Sequence, residues 1–136
     1  MPANADLSDL VQIGVTSEAQ RDLDLLFNSG WFATQQDAYL LAIAVALAND
    51  VIATPEQVRG TETRYSFFGG VDKDGKVRAL IAAFRPDDAN LPARTAERLA
   101  HAGLAILAQR ISAEDKLLSE ALGYDDEAQG RGLTDL

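Results

Sequence analysis

From Ala38 to Ala48 the chain reads Ala-Tyr-Leu-Leu-Ala-Ile-Ala-Val-Ala-Leu-Ala, with no charged or amide side chain. A helix that is apolar all the way round has no face to offer water, so it must sit inside something. Its alanines let neighbouring backbones approach closely. The chain has 136 residues, the size of one domain. Burying such a helix on most sides therefore calls for an intrachain core and, in addition, an interface with a second copy. The run is far too short to span a bilayer, so no membrane role is expected.

The segments before it carry their own signals. Val11, Ile13 and Val15 alternate with Gln12, Gly14 and Thr16, the period of a half-buried strand. That strand needs a partner for its backbone groups, in this chain or in a second copy. Ser17 with Gln20 has the spacing of a capping box. Ala19, Leu23, Leu26 and Phe27 then fall on one helical face. Asn28-Ser29-Gly30 reads as the stop. Trp31 and Phe32 follow, as a plug at the end of the core or as an exposed anchor for a partner. Thr34 with Asp37 opens the apolar helix.

Beyond Asn49 the signals weaken. Thr54-Pro55, Gly60 and Gly69-Gly70 punctuate an irregular connector with one short extended piece at Arg64–Phe68. Val77, Leu80, Ile81 and Phe84 form a helical stripe ended before Pro86, although a strand paired back to Tyr65–Phe68 competes with it. Pro92 suits the first turn of another helix, running to about Ile111. Ala96, Leu99, Ala100, Gly103, Leu104, Leu107 and Ile111 are its expected buried face, with Arg94, Arg98 and His101 opposite. Ser112 with Asp115 reads as the cap of a last short helix ending at Gly123. The fold class is mainly α: an N-terminal strand, two helices, then two or three more. Residues 1–9 read as a leader and 10–122 as one α-rich domain. Within it lie a strand–helix–helix unit (10–49), the connector (50–70) and C-terminal helices (71–122). Residues 123–136 form an acidic tail.

Chemistry is sparse. There is no cysteine, which removes disulfides, thiolate metal sites and thiol nucleophiles. His101 is the only histidine, without a convincing triad or metal spacing, and reads as a solvated helix residue. Asp72-Lys-Asp-Gly-Lys lacks the sixth-position Gly and twelfth-position Glu of a calcium loop and reads as a turn and helix cap. Gly69-Gly70 lacks the Gly-Lys-Ser/Thr of a phosphate loop. No cofactor, metal or catalytic residue is expected, and the chain reads as a non-enzyme. Arg78, Arg85, Arg94 and Arg98 form either a solvated helical face or a patch for an anion, a nucleic acid or an acidic partner.

Charge bears on partners. The net charge is −9: residues 1–60 hold eight acids and two bases, 61–111 six acids and eight bases, and 112–136 seven acids and two bases. Phosphate neutralisation by Lys and Arg drives nucleic-acid binding, so the N-terminal unit is electrostatically unsuited to DNA. The opening residues MPANADLSDL have no basic n-region and no long apolar run, so no signal peptide is expected and the protein reads as cytoplasmic.

Two resemblances follow from these stretches. The order strand–helix–turn–helix over Val11–Asn49, with "FATQQDAYLLAIAVAL" as the second helix and Thr34 as its cap, resembles ribbon-helix-helix regulators. That resemblance implies a homodimer with paired strands, Val11, Ile13 and Val15 facing the core, and Gln12, Gly14 and Thr16 facing DNA. Those regulators carry Arg or Lys on that face and none stands here. "GWFATQQDAYLLAIAVAL" and "RLAHAGLAILAQRI", spanning Gly30 to Ile111, resemble small bacterial proteins associated with DNA-phosphorothioation (dnd) systems. That resemblance implies an accessory or regulatory protein of a defence or DNA-modification locus, acting through protein contacts. The alternative is a DNA-binding transcriptional regulator.

Overall fold

A computed structural model describes residues 8–52 and 54–121. The tail at 123–136 and residues 1–7 of the leader lie outside the described residues. The order is β1 (Gln12–Val15), α1 (Ser17–Asn28), α2 (Gln35–Ala48), β2 (Glu62–Ser66), α3 (Lys76–Phe84) and α4 (Pro92–Ala121). The fold is mainly helical, with one small antiparallel sheet formed by β1 and β2.

The apolar α2 packs chiefly on α4. Ala38, Tyr39, Ala42, Ile43, Ala46 and Leu47 are buried, and Gly103 of α4 meets the Ala42 backbone. A Cβ at position 103 would lie 2.8 Å from the Ala42 Cα, so glycine there sets how closely the two helices pack. Burial is nonetheless one-sided: Leu41, Ala44 and Ala48 face outward. The chain itself covers one side of α2 and leaves an apolar side open, with Leu41 40% exposed.

Local chemistry explains the helix ends, with some changes of residue. Thr16, not Ser17, caps α1, its hydroxyl accepting from Ala19 N at 3.1 Å. Gln20 does not reach back to the cap; its amide donates to Asp24 on the same helix and to Gln35 on α2. Ala19, Leu23 and Leu26 are buried, while Phe27 is partly exposed. Gly30 takes the left-handed conformation (φ 83°) that turns the chain. Thr34 caps α2, accepting from Asp37 N at 3.1 Å.

The connector is more ordered than its punctuation suggests. A short 3₁₀ turn covers Pro55–Val58, β2 follows, and Phe67–Val71 make one wide turn closed by Asp72 N on Phe67 O at 2.7 Å. β2 pairs with β1: Ile13 opposes Tyr65 and Val15 opposes Glu62, with an irregularity between Ile13 and Gly14. The strand's partner is thus inside the chain. Gly14 sits where β2 crowds in, and a Cβ there would come within 2.9 Å of Thr63 Cα. Val77–Phe84 is helical, although only Val77 and Ile81 of its stripe are buried.

Asp72 is the cap that the turn motif implied. Its carboxylate is buried, accepts from Val77 N at 2.8 Å and Arg78 N at 3.1 Å, and pairs with Arg78 Nε at 2.7 Å. The last helix differs from expectation. No break occurs at Ser112, and α4 runs unbroken from Pro92 to Ala121, because a serine inside a continuing turn needs no cap. Its first amides, from Ala93 and Arg94, are taken by the Asp9 carboxylate at 2.9 Å each. Asp9, counted with the leader, is therefore a helix cap for α4.

Candidate functional site

The strand residues come first. Ile13 and Val15 are buried, whereas Val11 precedes β1 and is 73% exposed. Gln12 is exposed, Gly14 buried and Thr16 half-buried. Gly14 does not face outward: its N–H donates to Glu97 Oε2 at 3.0 Å and its carbonyl accepts from the Tyr39 hydroxyl at 3.0 Å. Thr16 N donates to His101 Nε2 at 3.1 Å. Side chains of α2 and α4 thus hold the backbone groups that a second copy's strand would need.

His101 was expected on a solvated face and is buried instead, as is Glu97 one turn before it on α4. Nε2 accepts from Thr16, so the ring proton sits on Nδ1, which donates to Glu97 O at 2.7 Å. Burial lowers the His101 pKa below its ordinary 6.5, with the bond to the Glu97 carbonyl opposing. Burial raises the Glu97 carboxyl above its ordinary 4.5, opposed by the Gly14 N–H and by Arg94 and Arg98. Both imidazole nitrogens are engaged by backbone groups, Thr16 N–H at Nε2 and Glu97 O at Nδ1. The reason is geometric: α4 packs on α2 along one side and on β1 along another, so its buried arc is wider than one apolar stripe.

The four arginines separate. Arg78 is held by Asp72 and lies over the Phe68 ring at 5.1 Å. Arg94 donates to Ser8 O at 2.8 Å. Arg85 donates to Val51 O at 2.6 Å and approaches Asp50 at 3.5 Å. Arg94 Nε and Arg98 Nε are both buried with no hydrogen-bond partner among the described residues. Arg85 and Arg98 line a common cavity.

A separate, apolar opening lies elsewhere. The Gly30 turn throws Trp31 outward, where it is 81% exposed. It does not plug the core; Phe32 beside it is half-buried. Trp31 and Phe32, with Leu26 of α1, Leu41 of α2, and Leu107 and Ile111 of α4, line a groove of about 460 Å³. Arg110 is the one charged residue among the described residues that line it, and it donates loosely to Asn49 at 3.4 Å. An open apolar trough with a large aromatic at its lip suits the apolar face of a helix. Nothing in the spacing of the sequence joins these residues, although Trp31 itself was a candidate partner anchor.

Among the described residues, no group of three or more His, Cys, Asp or Glu side chains is placed to hold a metal ion, and no helix is long and apolar enough to cross a membrane. No protein-family model, curated protein or solved structure matches the chain.

Proposed function

We propose that this chain is a non-enzymatic accessory or regulatory protein of the bacterial cytoplasm, working by protein–protein contact. It takes an amphipathic helix of its partner in the groove beside Trp31. The observation that carries this is Trp31, 81% exposed at the lip of an apolar groove. Buried aromatic anchors dominate binding energy in protein interfaces, and a tryptophan left in water is otherwise uncommon. Arg110 gives the groove one cation, so the fitting helix carries a carboxylate beside its apolar stripe. The engagement of both His101 nitrogens by backbone supports a non-enzymatic role. In this reading the partner belongs to a DNA-modification or defence locus; the resemblance over Gly30–Ile111 is the support for that part.

The test is co-purification from the native host with the wild-type chain and with Trp31→Ser. One partner protein is expected with the wild type and lost with the variant, whose melting temperature stays unchanged because the side chain is exposed. Recovery of the same proteins by both, or of the chain alone, ends the reading. Light scattering adds an arm: a dimer dissociated by Trp31→Ser would make the partner a second copy.

The ribbon-helix-helix alternative keeps the element order of Val11–Asn49 as its support. It would need β1 released both from β2 and from Glu97, Tyr39 and His101. Absence of DNA binding at about 50 mM salt, where phosphate contacts are strong, removes it.

A further inference from the structure

The cavity between the start of α4 and the Arg85–Asp88 segment that follows α3 has a different chemistry from the Trp31 groove. It measures about 260 Å³ and is lined by Ile52, Arg85, Asp88, Thr95, Arg98 and Leu99. That is below the roughly 300–1,000 Å³ of sites for drug-sized ligands, so its ligand is small. We propose that it binds a small doubly charged oxyanion of the phosphate-monoester class, held by the guanidinium groups of Arg85 and Arg98.

Arg78 has a buried carboxylate at 2.7 Å, while Arg94 donates to Ser8 O at 2.8 Å and, like Arg98, keeps a buried Nε without a partner among the described residues; what sets Arg85 and Arg98 apart is that they line one cavity. Arg85 is oriented by Val51 O, a neutral acceptor, and its only carboxylate is Asp50, at 3.5 Å and with its side chain 96% exposed. Arg98 has no carboxylate within ion-pairing distance among the described residues, and its Nε is buried without a partner. This happens in a chain with 21 acids and 12 bases, where a neutralising carboxylate is easy to supply. Asp88 lines the same cavity, yet its side chain is exposed and pairs with neither arginine; its carbonyl accepts from the Thr95 hydroxyl at 3.2 Å. Glu97, adjacent to Arg98 on α4, gives its carboxylate to Gly14.

Planar guanidinium groups suit tetrahedral oxyanions because they present paired N–H donors in a fixed fork. Arg85 comes from the end of α3 and is braced by backbone, and Arg98 comes from the second turn of α4. Two separate elements therefore deliver two cations to one small space, which matches a dianion better than a single carboxylate. Of the cavity's apolar lining, Leu99 is buried and Ile52 is 81% exposed, so the site is open to water on one side.

The test uses inorganic phosphate as the probe and follows the arginine Nε–H resonances by NMR on the full chain, with chloride added to equal ionic strength as the control. The Arg98 and Arg85 signals are expected to shift and saturate with phosphate, Arg110 to stay still, and acetate to bind more weakly. Arg98→Gln is expected to weaken binding about tenfold or more, the loss of one charge-assisted contact. Arg110→Gln leaves it unchanged. Should Arg98→Gln perturb folding, the wild-type resonances decide alone. No saturable shift, equal binding of acetate, or binding that survives in a folded Arg98→Gln chain overturns the proposal. Tighter binding of duplex DNA that also survives Arg98→Gln would assign the basic surface to nucleic acid instead.

Discussion

Gly103 on α4 lies directly against the backbone of Ala42 on α2, with no space between them for a methyl group. In an exposed helix, Gly→Ala would gain about 1 kcal/mol from propensity. Here the new Cβ meets backbone, which cannot rotate away, and overpacking of this kind costs about 1–3 kcal/mol or more. The clash outweighs the propensity. Gly103→Ala is expected to lower stability by about 2 kcal/mol net in urea unfolding; an equal or higher midpoint would show that the two helices are not packed this closely.

Asp72 binds two amides and one guanidinium from the first turn of α3. Asp72→Ala leaves those amides without their acceptor and removes the charge that Arg78 faces. The expected loss is about 2–4 kcal/mol. Asn keeps one oxygen and should recover part of it. Hydrogen exchange at Val77 and Arg78 N–H locates the effect, since both should exchange faster in the variant, and unchanged protection there would refute the cap.

His101 and Glu97 pull the pH dependence of stability in opposite directions. The folded pKa of His101 lies below 6.5, so in the window under 6.5 the unfolded chain binds more protons and stability falls as pH drops. Glu97 has a folded pKa above 4.5; its contribution is present below 4.5 and is lost as pH rises through the folded value. The His101 window lies below pH 6.5 and the Glu97 window above pH 4.5, and their slopes have opposite sign. His101→Gln is expected to remove the fall below pH 6.5 and expose the Glu97 trend, and Glu97→Gln to do the reverse. Parallel stability–pH curves for the wild type and His101→Gln would contradict the burial of the ring.

Residues that act on their own neighbours were readable in advance: Thr34 as a cap, Gly30 as a left-handed stop, Pro92 as a first turn, Asp72 as a helix cap. The helical stripe of Val77–Phe84 also held against its strand competitor, because Val77 and Ile81 sit one turn apart. What escaped was set by distant chain. β2 has almost no buried side chains, so it lacks the alternation that announces a strand. Glu97 and His101 fall off the apolar stripe of α4, and only β1 crossing that side of the helix makes their burial favourable. Ser112 carries a genuine cap signal, which the continuing helix overrides. Of the surfaces proposed for binding, Trp31 and the four arginines were visible as residue types. Which arginines share a cavity depended on where Asp72, Ser8 and Val51 came to rest.

The locking of β1 by α4 has a consequence for synthesis. Glu97 and His101 lie 83 and 85 residues beyond the groups they hold, and Asp9 waits as long for Ala93 and Arg94. A nascent chain therefore leaves the ribosome with Gln12–Val15 unsealed until α4 has been made. Through that interval β1 can pair with β2 while the backbone groups that α4 later holds stay open, the kind of exposed backbone that invites pairing with another chain.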